Sequence, residues 1–180
     1  MSDSADELVV VGPGVLGLLA ARMYRDAHPA ARVTLKFRRA DPSRAAGLQS
    51  EGFTVISSEG GEAATAPRLL FCAPPTGNSV IVCPASSWVR NVSSTFGLWL
   101  QDYAGCVADS LTQHWSPASR GATAVFTSSG SVYSEDGGGT VTEESEVGNN
   151  ERAARLVSAE AAVAGAGGAV LRLGGLYRQV

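Results

Sequence analysis

The sequence of 180 residues has the length of a single domain, and its hydrophobic content of 44% is that of a globular protein. Its formal net charge of −3 gives no electrostatic basis for binding nucleic acid or an anionic membrane. No run reaches the roughly 18 apolar residues of a membrane span, and residues 1–7 lack the pattern of a signal or transit peptide. We therefore expect a cytoplasmic protein that binds neither nucleic acid nor a membrane. A chloroplast location is the alternative if a longer form carries a transit peptide.

The cysteines and histidines give no indication of a metal site. Cys72, Cys83 and Cys106 are an odd number without a C-x-x-C spacing, and His28 and His114 have no ligand-like neighbours in the sequence. Both observations argue against a bound metal and against a disulfide framework. Three reduced thiols in a cytosol-like compartment are the simpler interpretation.

A glycine-rich turn follows the first predicted strand. Residues 8–11 are an apolar run typical of a strand buried on both faces, and residues 18–27 favour a helix. Between them, Gly12, Gly14 and Gly17 have the spacing G-x-G-x-x-G, which requires exactly this kind of strand–turn–helix context. Gly12 would allow the tight turn, Gly14 the approach of a pyrophosphate, and Gly17 the close packing of helix on strand.

The start of this first helix supplies backbone donors for phosphates. Amides near Val15 and Leu16 would bind them together with the positive end of the helix dipole. Pro13 removes one donor, so the remaining N–H groups of the turn must form the cradle. Because the chain contains 21 glycines, the spacing could also arise by chance in a structural turn. The flanking strand and helix favour dinucleotide binding.

The second predicted strand, residues 33–37, ends at Arg38 and Arg39, and the next acid is Asp41. A site for NAD usually has a carboxylate here to bind the ribose 2′-hydroxyl. Two guanidinium groups would instead pair with a 2′-phosphate. The pattern favours NADP as cofactor, with NAD as the alternative, although the two arginines could also be part of a solvated loop.

Strands and helices alternate through the rest of the chain. Further strands are predicted over residues 53–56, 68–73, 122–127 and 169–173, and further helices over residues 43–50, 102–115 and 151–164. This alternation predicts one Rossmann-type α/β domain, a doubly wound parallel sheet of about six strands. Ala73 and Pro74, where the fourth strand ends, would pack against the cofactor, unless they form an ordinary turn. Residues 78–101 fit neither period and are predicted to be an irregular insert.

Three segments carry a family resemblance: Gly-Pro-Gly-Val-Leu-Gly at residues 12–17, Phe-Thr-Ser-Ser-Gly-Ser-Val-Tyr at 126–133 and Leu-Arg-Leu-Gly-Gly-Leu-Tyr at 171–177. In this order they resemble the motifs of extended and atypical short-chain dehydrogenases/reductases, the epimerase/dehydratase group. Residues 71–75 and 102–105 look more particularly like plant and cyanobacterial NAD(P)-binding Rossmann-fold proteins. The resemblance implies a nicotinamide dinucleotide close to Ser128, and redox or epimerase chemistry on a small carbonyl or sugar-like substrate.

The chemistry of that family requires a Tyr-x-x-x-Lys pair, in which the lysine lowers the pKa of the phenol and the tyrosine exchanges a proton. Alignment by Ser-Ala-Glu at residues 158–160 places Arg152 and Leu156 at these two positions. Arg152 could bind a phosphate or a carboxylate, but its pKa is too high for proton transfer. Ser129 matches the catalytic serine and would donate to a substrate oxygen; capping the end of a strand is its alternative role.

Three interpretations of function follow. The first is an NAD(P)-dependent enzyme of the reductase/epimerase group, and the second is a non-catalytic dinucleotide-binding or redox-sensing module, which the absent Tyr-Lys pair favours. The third is a defective splice or gene-model variant. Residues 78–101 separate two segments that are adjacent in relatives, and the sequence stops at Val180, where extended relatives continue into a substrate domain that is missing here.

Overall fold

The protein is described by a computed structural model for residues 6–59, 61–74 and 103–174, so the predicted insert at 78–101 lies outside the described residues. The strands are β1 (Leu8–Val11), β2 (Val33–Phe37), β3 (Thr54–Ser57), β4 (Arg68–Phe71), β5 (Thr123–Ser129) and β6 (Ala169–Leu173). The helices are α1 (Val15–Ala27), α2 (Pro42–Ser50), α3 (Tyr103–His114) and α4 (Glu151–Gly165), with a 3₁₀ turn at Gly130–Val132.

The six strands form one sheet in the order β3-β2-β1-β4-β5-β6, and every neighbouring pair is parallel. This confirms the predicted doubly wound parallel sheet. The chain builds the sheet outward from β1 to β3 and then crosses to β4 on the other side of β1. The strand order therefore reverses between β1 and β4, and sheets of this kind bind ligands in the crevice at that point, beyond the carboxyl ends of the strands.

Apolar side chains cover both faces of the central strands, as expected for a parallel sheet between two helical layers. Side chains alternate between the faces along a strand. Leu8 and Val10 pack in the cluster that includes Ala21 of α1 and Leu48 of α2. The intervening valines of β1 pack in the second cluster, which includes side chains of α3 and α4. Each fully buried aliphatic side chain contributes about 1.5–3 kcal/mol.

The helices differ in which groups accept hydrogen bonds from the backbone amides of their first turns. At α2, the Asp41 carboxylate accepts from the Arg44 amide at 2.8 Å. At α4, Asn150 Oδ1 accepts from the Ala153 amide at 2.9 Å. Both are conventional side-chain caps. At α1 the capping position is Gly14, which has no side chain to accept a hydrogen bond.

Two strand ends differ by two residues from their predicted positions, and the start of β5 and both ends of β3 differ by one. β5 continues to Ser129, so Ser128 and Ser129 belong to the strand and not to the loop that follows it. β4 ends at Phe71, which leaves Ala73 and Pro74 in the connection beyond it. In the described part of the chain, no helix is long and apolar enough to cross a membrane.

Candidate functional site

The three glycines of the turn after β1 occupy three different environments. Gly12 has φ +71°, and a Cβ there would lie 2.5 Å from the Cβ of Ala73. At Gly17 a Cβ would lie 3.1 Å from Val10 Cγ1, so the missing side chain lets α1 pack closely on β1. A Cβ on Gly14 would meet nothing within 4 Å. The turn is therefore tight at its first glycine, open to solvent at its second and packed at its third.

The first turn of α1 leaves backbone donors without helical acceptors. The Gly14 amide donates to the Gly12 carbonyl at 2.7 Å, and the Leu18 amide donates to the Gly14 carbonyl at 3.0 Å. The intervening amides, those of Val15, Leu16 and Gly17, precede the first intrahelical bond, and Gly14 offers them no side-chain cap. These amides, at the positive end of the helix dipole, are the donors that an anion would meet.

A cleft of about 360 Å³ lies next to this turn, at the carboxyl ends of β1, β4 and β5. It coincides with the reversal in strand order. Its described lining residues come from the turn, the ends of β4, β5 and β6, and α4: Gly14, Val15, Leu16, Gly17, Cys72, Pro74, Thr127, Ser128, Ser129, Arg152, Leu156, Leu173 and Gly174. Most of the residues predicted to bind a cofactor are thus brought together, whereas Arg38 and Arg39 lie outside the lining.

The connection after β4 is held over the turn by a buried hydroxyl. Tyr103 of α3 donates from its hydroxyl to the Ala73 carbonyl at 2.6 Å. Burial raises the pKa of Tyr103 well above its usual range, so the hydroxyl stays protonated as a donor. Ala73 itself is not among the lining residues. It packs against Gly12 and so shapes the wall of the cleft.

The two arginines after β2 are in different electrostatic situations. Arg39 Nε donates to Glu59 Oε1 at 2.5 Å, and this hydrogen bond raises the pKa of Arg39. The exposed side chain of Arg38 has no ion pair or hydrogen bond with any residue in the described ranges. Of the two guanidinium groups predicted to bind a 2′-phosphate, Arg38 is the one whose charge is not already paired.

Sequence reasoning missed a second cation beside the turn. Arg44 Nη2 donates to the Pro13 carbonyl at 3.4 Å, and its guanidinium lies 5.0 Å from the centroid of the Phe37 ring. The signal that could have found it is Asp41-Pro42, because an Asp cap followed by Pro marks the start of a helix and puts Arg44 in its first turn. Asp41 is the first acidic residue after β2 in the sequence, and its carboxylate accepts the capping hydrogen bond of α2.

The two serines at the end of β5 are engaged in different ways. Ser128 is 6% exposed, and its hydroxyl donates to Glu160 Oε1 at 2.5 Å. Ser129 accepts from the Ser131 amide at 3.2 Å, and the two hydroxyl oxygens are 2.9 Å apart. Ser129 therefore caps the 3₁₀ turn. When the Ser131 hydroxyl donates the hydrogen bond between the two side chains, the Ser129 hydroxyl is free to donate to a ligand.

A partly buried ion pair behind Ser128 was also missed. Arg172 of β6 donates from Nε and Nη2 to both carboxylate oxygens of Glu160 in α4, at 2.6–3.1 Å. The Arg172 guanidinium also lies 5.0 Å from the centroid of the Tyr133 ring, and Tyr133 faces a neighbouring groove of about 740 Å³ and not the cleft. Together with the Ser128 hydrogen bond, this pair joins β5, α4 and β6.

The cleft offers few groups for moving a proton. Its described lining includes Arg152, which is charged, and Leu156, which is buried and apolar. The remaining titratable lining group is Cys72, whose pKa burial raises, so its thiol is protonated near neutral pH. Lys36 is the only lysine of the sequence and lies elsewhere, its Nζ 2.6 Å from Nε2 of the buried His114. Among the described lining residues, no group exchanges a proton readily near pH 7.

Known proteins resemble this chain in fold but not detectably in sequence. No family model and no curated protein matches the sequence. A conserved protein of unknown function from Silicibacter pomeroyi matches 95% of this chain with a TM-score of 0.60 and 18% identity. ADP-L-glycero-D-manno-heptose-6-epimerase from Helicobacter pylori matches 92% with a TM-score of 0.56 and 13% identity.

A third similar structure is UDP-glucuronic acid 4-epimerase from Bacillus cereus, in complex with UDP-glucuronic acid and NAD. It matches 88% of this chain with a TM-score of 0.54 and 14% identity. The three matches cover 53%, 53% and 51% of those proteins, so this chain spans about half of their length. The chain therefore has the Rossmann-like fold of NAD-dependent epimerases and dehydratases. The predicted closeness to plant and cyanobacterial proteins has no support from these comparisons.

Proposed function

We propose that this chain is an NAD(P)-binding protein of the epimerase/dehydratase group of short-chain dehydrogenases/reductases. One observation carries the proposal: open space at Gly14, beside the uncapped amides of α1, at the point where the strand order reverses. Space, donors and a positive dipole end are what a pyrophosphate needs. The three motifs that resemble those of this group and the fold of the NAD-complexed epimerase support the same assignment.

The cleft gives the dinucleotide a direction. With the pyrophosphate on the amides of Val15, Leu16 and Gly17, the adenosine half extends toward β2, where Arg38 and Arg44 lie. The nicotinamide half extends the other way, across β4 toward Ser129. This arrangement follows from the strand order, in which β2 and β4 flank β1 on opposite sides.

NADP is the preferred cofactor in this proposal. Arg38 is an unpaired guanidinium among the described residues, and Arg44 adds a second cation near the turn. The carboxylate of Asp41, which could otherwise bind a ribose 2′-hydroxyl, caps α2 instead. The nearby carboxylate of Glu59 is paired with Arg39, which leaves two other cations for a 2′-phosphate.

A non-catalytic dinucleotide-binding module is the second candidate function. Arg152 and Leu156 replace the proton-exchanging pair, and Cys72 is held as a thiol. A protonated thiol is a poor nucleophile toward oxidants, so the environment of Cys72 gives no support to a cysteine-based redox sensor. If the chain is an enzyme, the proton has to come from water, from Ser129 or from outside the described lining.

The proposal is tested by titrating the purified chain with NADPH and with NADH while following the cofactor's fluorescence. We expect saturable binding, tighter for NADPH. A screen of carbonyl and sugar-nucleotide substrates then separates the two functions: turnover that Ser129→Ala abolishes supports the enzyme, and tight binding without turnover supports the module.

Gly14→Val should abolish cofactor binding and leave the fold intact. The new side chain would occupy the pyrophosphate space, and it meets no protein atom within 4 Å of its Cβ. Gly47→Val is the matched control, since Gly47 also has open space around it but lies in α2. Unchanged NADPH affinity in Gly14→Val, with the circular dichroism spectrum preserved, would show that the dinucleotide does not bind at this turn.

A further inference from the structure

Most arginines in the described part of the chain have a partner, but one inside the cleft does not. Eight form an ion pair or hydrogen bond: Arg22, Arg25, Arg32, Arg39, Arg44, Arg68, Arg155 and Arg172. The side chains of the remaining three described arginines, Arg38, Arg120 and Arg152, form no ion pair or hydrogen bond with a described residue. Arg38 lies at the proposed adenosine end and Arg120 is exposed away from the cleft lining. Arg152 lines the cleft, and nothing described balances its charge.

The surroundings of Arg152 give it no internal counter-charge. It is the only charged side chain among the described residues that line the cleft. The neighbouring ion pair is closed, because both oxygens of Glu160 bond to Arg172 and one also accepts from Ser128. One turn further along α4, Arg155 is paired with Glu151. Arg152 is exposed at the cleft, so its positive charge is available to a ligand bound there.

A bound dinucleotide does not supply the missing charge at this place. Its pyrophosphate belongs at the α1 amides and its 2′-phosphate near Arg38, while Arg152 and Ser129 lie on the β5–α4 side. The oxidised nicotinamide ring is itself positive. Cofactor binding would remove water from an unpaired guanidinium, which is unfavourable unless an anion pairs with it.

We propose that the cleft binds a small carboxylate ligand together with the dinucleotide, its carboxylate paired with Arg152 and another of its oxygens accepting from the Ser129 hydroxyl. The inference rests on the proposed function, because the dinucleotide encloses this subsite. The planar guanidinium fork matches a carboxylate in a two-bond arrangement. The ligand would share the cleft of about 360 Å³ with part of the cofactor, which favours a small one, such as a 2-oxo acid.

Calorimetric titration of the full chain, saturated with NADP⁺, tests this with oxalate as the probe. We expect oxalate to bind the complex, and Arg152→Gln to weaken that binding about 10- to 100-fold, the effect of losing a charge-assisted hydrogen-bond pair. The affinity for NADP⁺ itself should not change in this variant. Arg155→Gln is the matched control, one turn away on the same helix and paired outside the cleft, and should bind oxalate normally.

Each contrary result has a distinct meaning. NADP⁺ binding without oxalate binding, or equal oxalate affinity in Arg152→Gln, overturns this inference and leaves the proposed function standing. Loss of NADP⁺ affinity in Arg152→Gln without oxalate assigns Arg152 to the cofactor and also overturns it. So does tighter binding of inorganic phosphate or UDP-glucose than of oxalate at this arginine. Absence of NADP⁺ binding to the unaltered chain overturns the proposed function and this inference together.

Discussion

The two sides of the cleft differ in what their polar groups are doing. On the β1–β2 side, the amides of α1 and the Arg38 guanidinium have no partner among the described residues. On the β5–α4 side, Ser128, Glu160 and Arg172 bond to one another. The first side has hydrogen-bond donors without acceptors among the described residues, whereas most polar groups of the second side bond to one another and join three elements.

This difference indicates that cofactor binding and catalysis depend on different parts of the fold. The side that would bind the dinucleotide depends on backbone geometry, which the glycines preserve. The side that would perform chemistry depends on particular side chains, and the described lining there includes Arg152 and Leu156. A chain of this kind can keep the cofactor site and lose, or change, the reaction.

Glu160→Ala should have the largest effect, on stability. It leaves the Arg172 guanidinium partly buried without its carboxylate and removes the acceptor of Ser128, so we expect a loss of about 3–5 kcal/mol in the free energy of unfolding. Urea denaturation followed by circular dichroism measures it. Glu151→Ala removes the exposed ion pair with Arg155 on the same helix and should cost no more than about 0.5 kcal/mol. An equal loss of unfolding free energy in the two variants would mean that the Glu160–Arg172 pair stabilises the protein no more than an exposed surface pair does.

Arg38→Ala should weaken binding of NADPH and leave NADH nearly unaffected. Loss of a charge-assisted contact to the 2′-phosphate predicts an effect of about 1.5–3 kcal/mol for NADPH alone. Arg39→Ala is the comparison, because Arg39 is already bonded to Glu59 and should matter less. Fluorescence titration of both variants with both cofactors gives the four affinities. An equal loss for NADPH and NADH would contradict the preference for NADP.

The stability of the protein should depend on pH through His114, the partner of the only lysine. Burial, and then the charge of Lys36, lower the pKa of His114, against the opposing effect of its hydrogen bond to the Ala64 carbonyl. The unfolded chain therefore binds this proton at higher pH than the folded chain does. The contribution of neutral His114 is fully present above about pH 6.5 and is lost as the pH falls through the folded pKa, with a slope of at most about 1.4 kcal/mol per pH unit.

Urea unfolding between pH 5.5 and 7.5 measures this slope. His114→Gln keeps a donor for Ala64 and an acceptor for Lys36 but does not titrate, so the slope should flatten even where the variant is less stable. The same slope in both proteins would mean that His114 is not its source.

The local parts of the fold could be predicted because the signals for them are local. The all-apolar β1 and the glycine spacing each lie within a few residues of the element they define. The alternation of such elements predicts a parallel sheet. The predicted ends of β4 and β5 were wrong by two residues each, because hydrogen bonding to neighbouring strands decides where a strand stops, and that depends on distant sequence.

The sequence by itself determined the class of fold and the position of the glycine turn. Only the tertiary structure decided which charged groups are available. Arg39 meets Glu59 across 20 residues of sequence, and Ser128 meets Glu160 across 32. Such pairings depend on the order of the strands in the sheet and on how the helices cross them. Of two arginines that are adjacent in sequence, one therefore forms a surface ion pair and the other has no partner among the described residues.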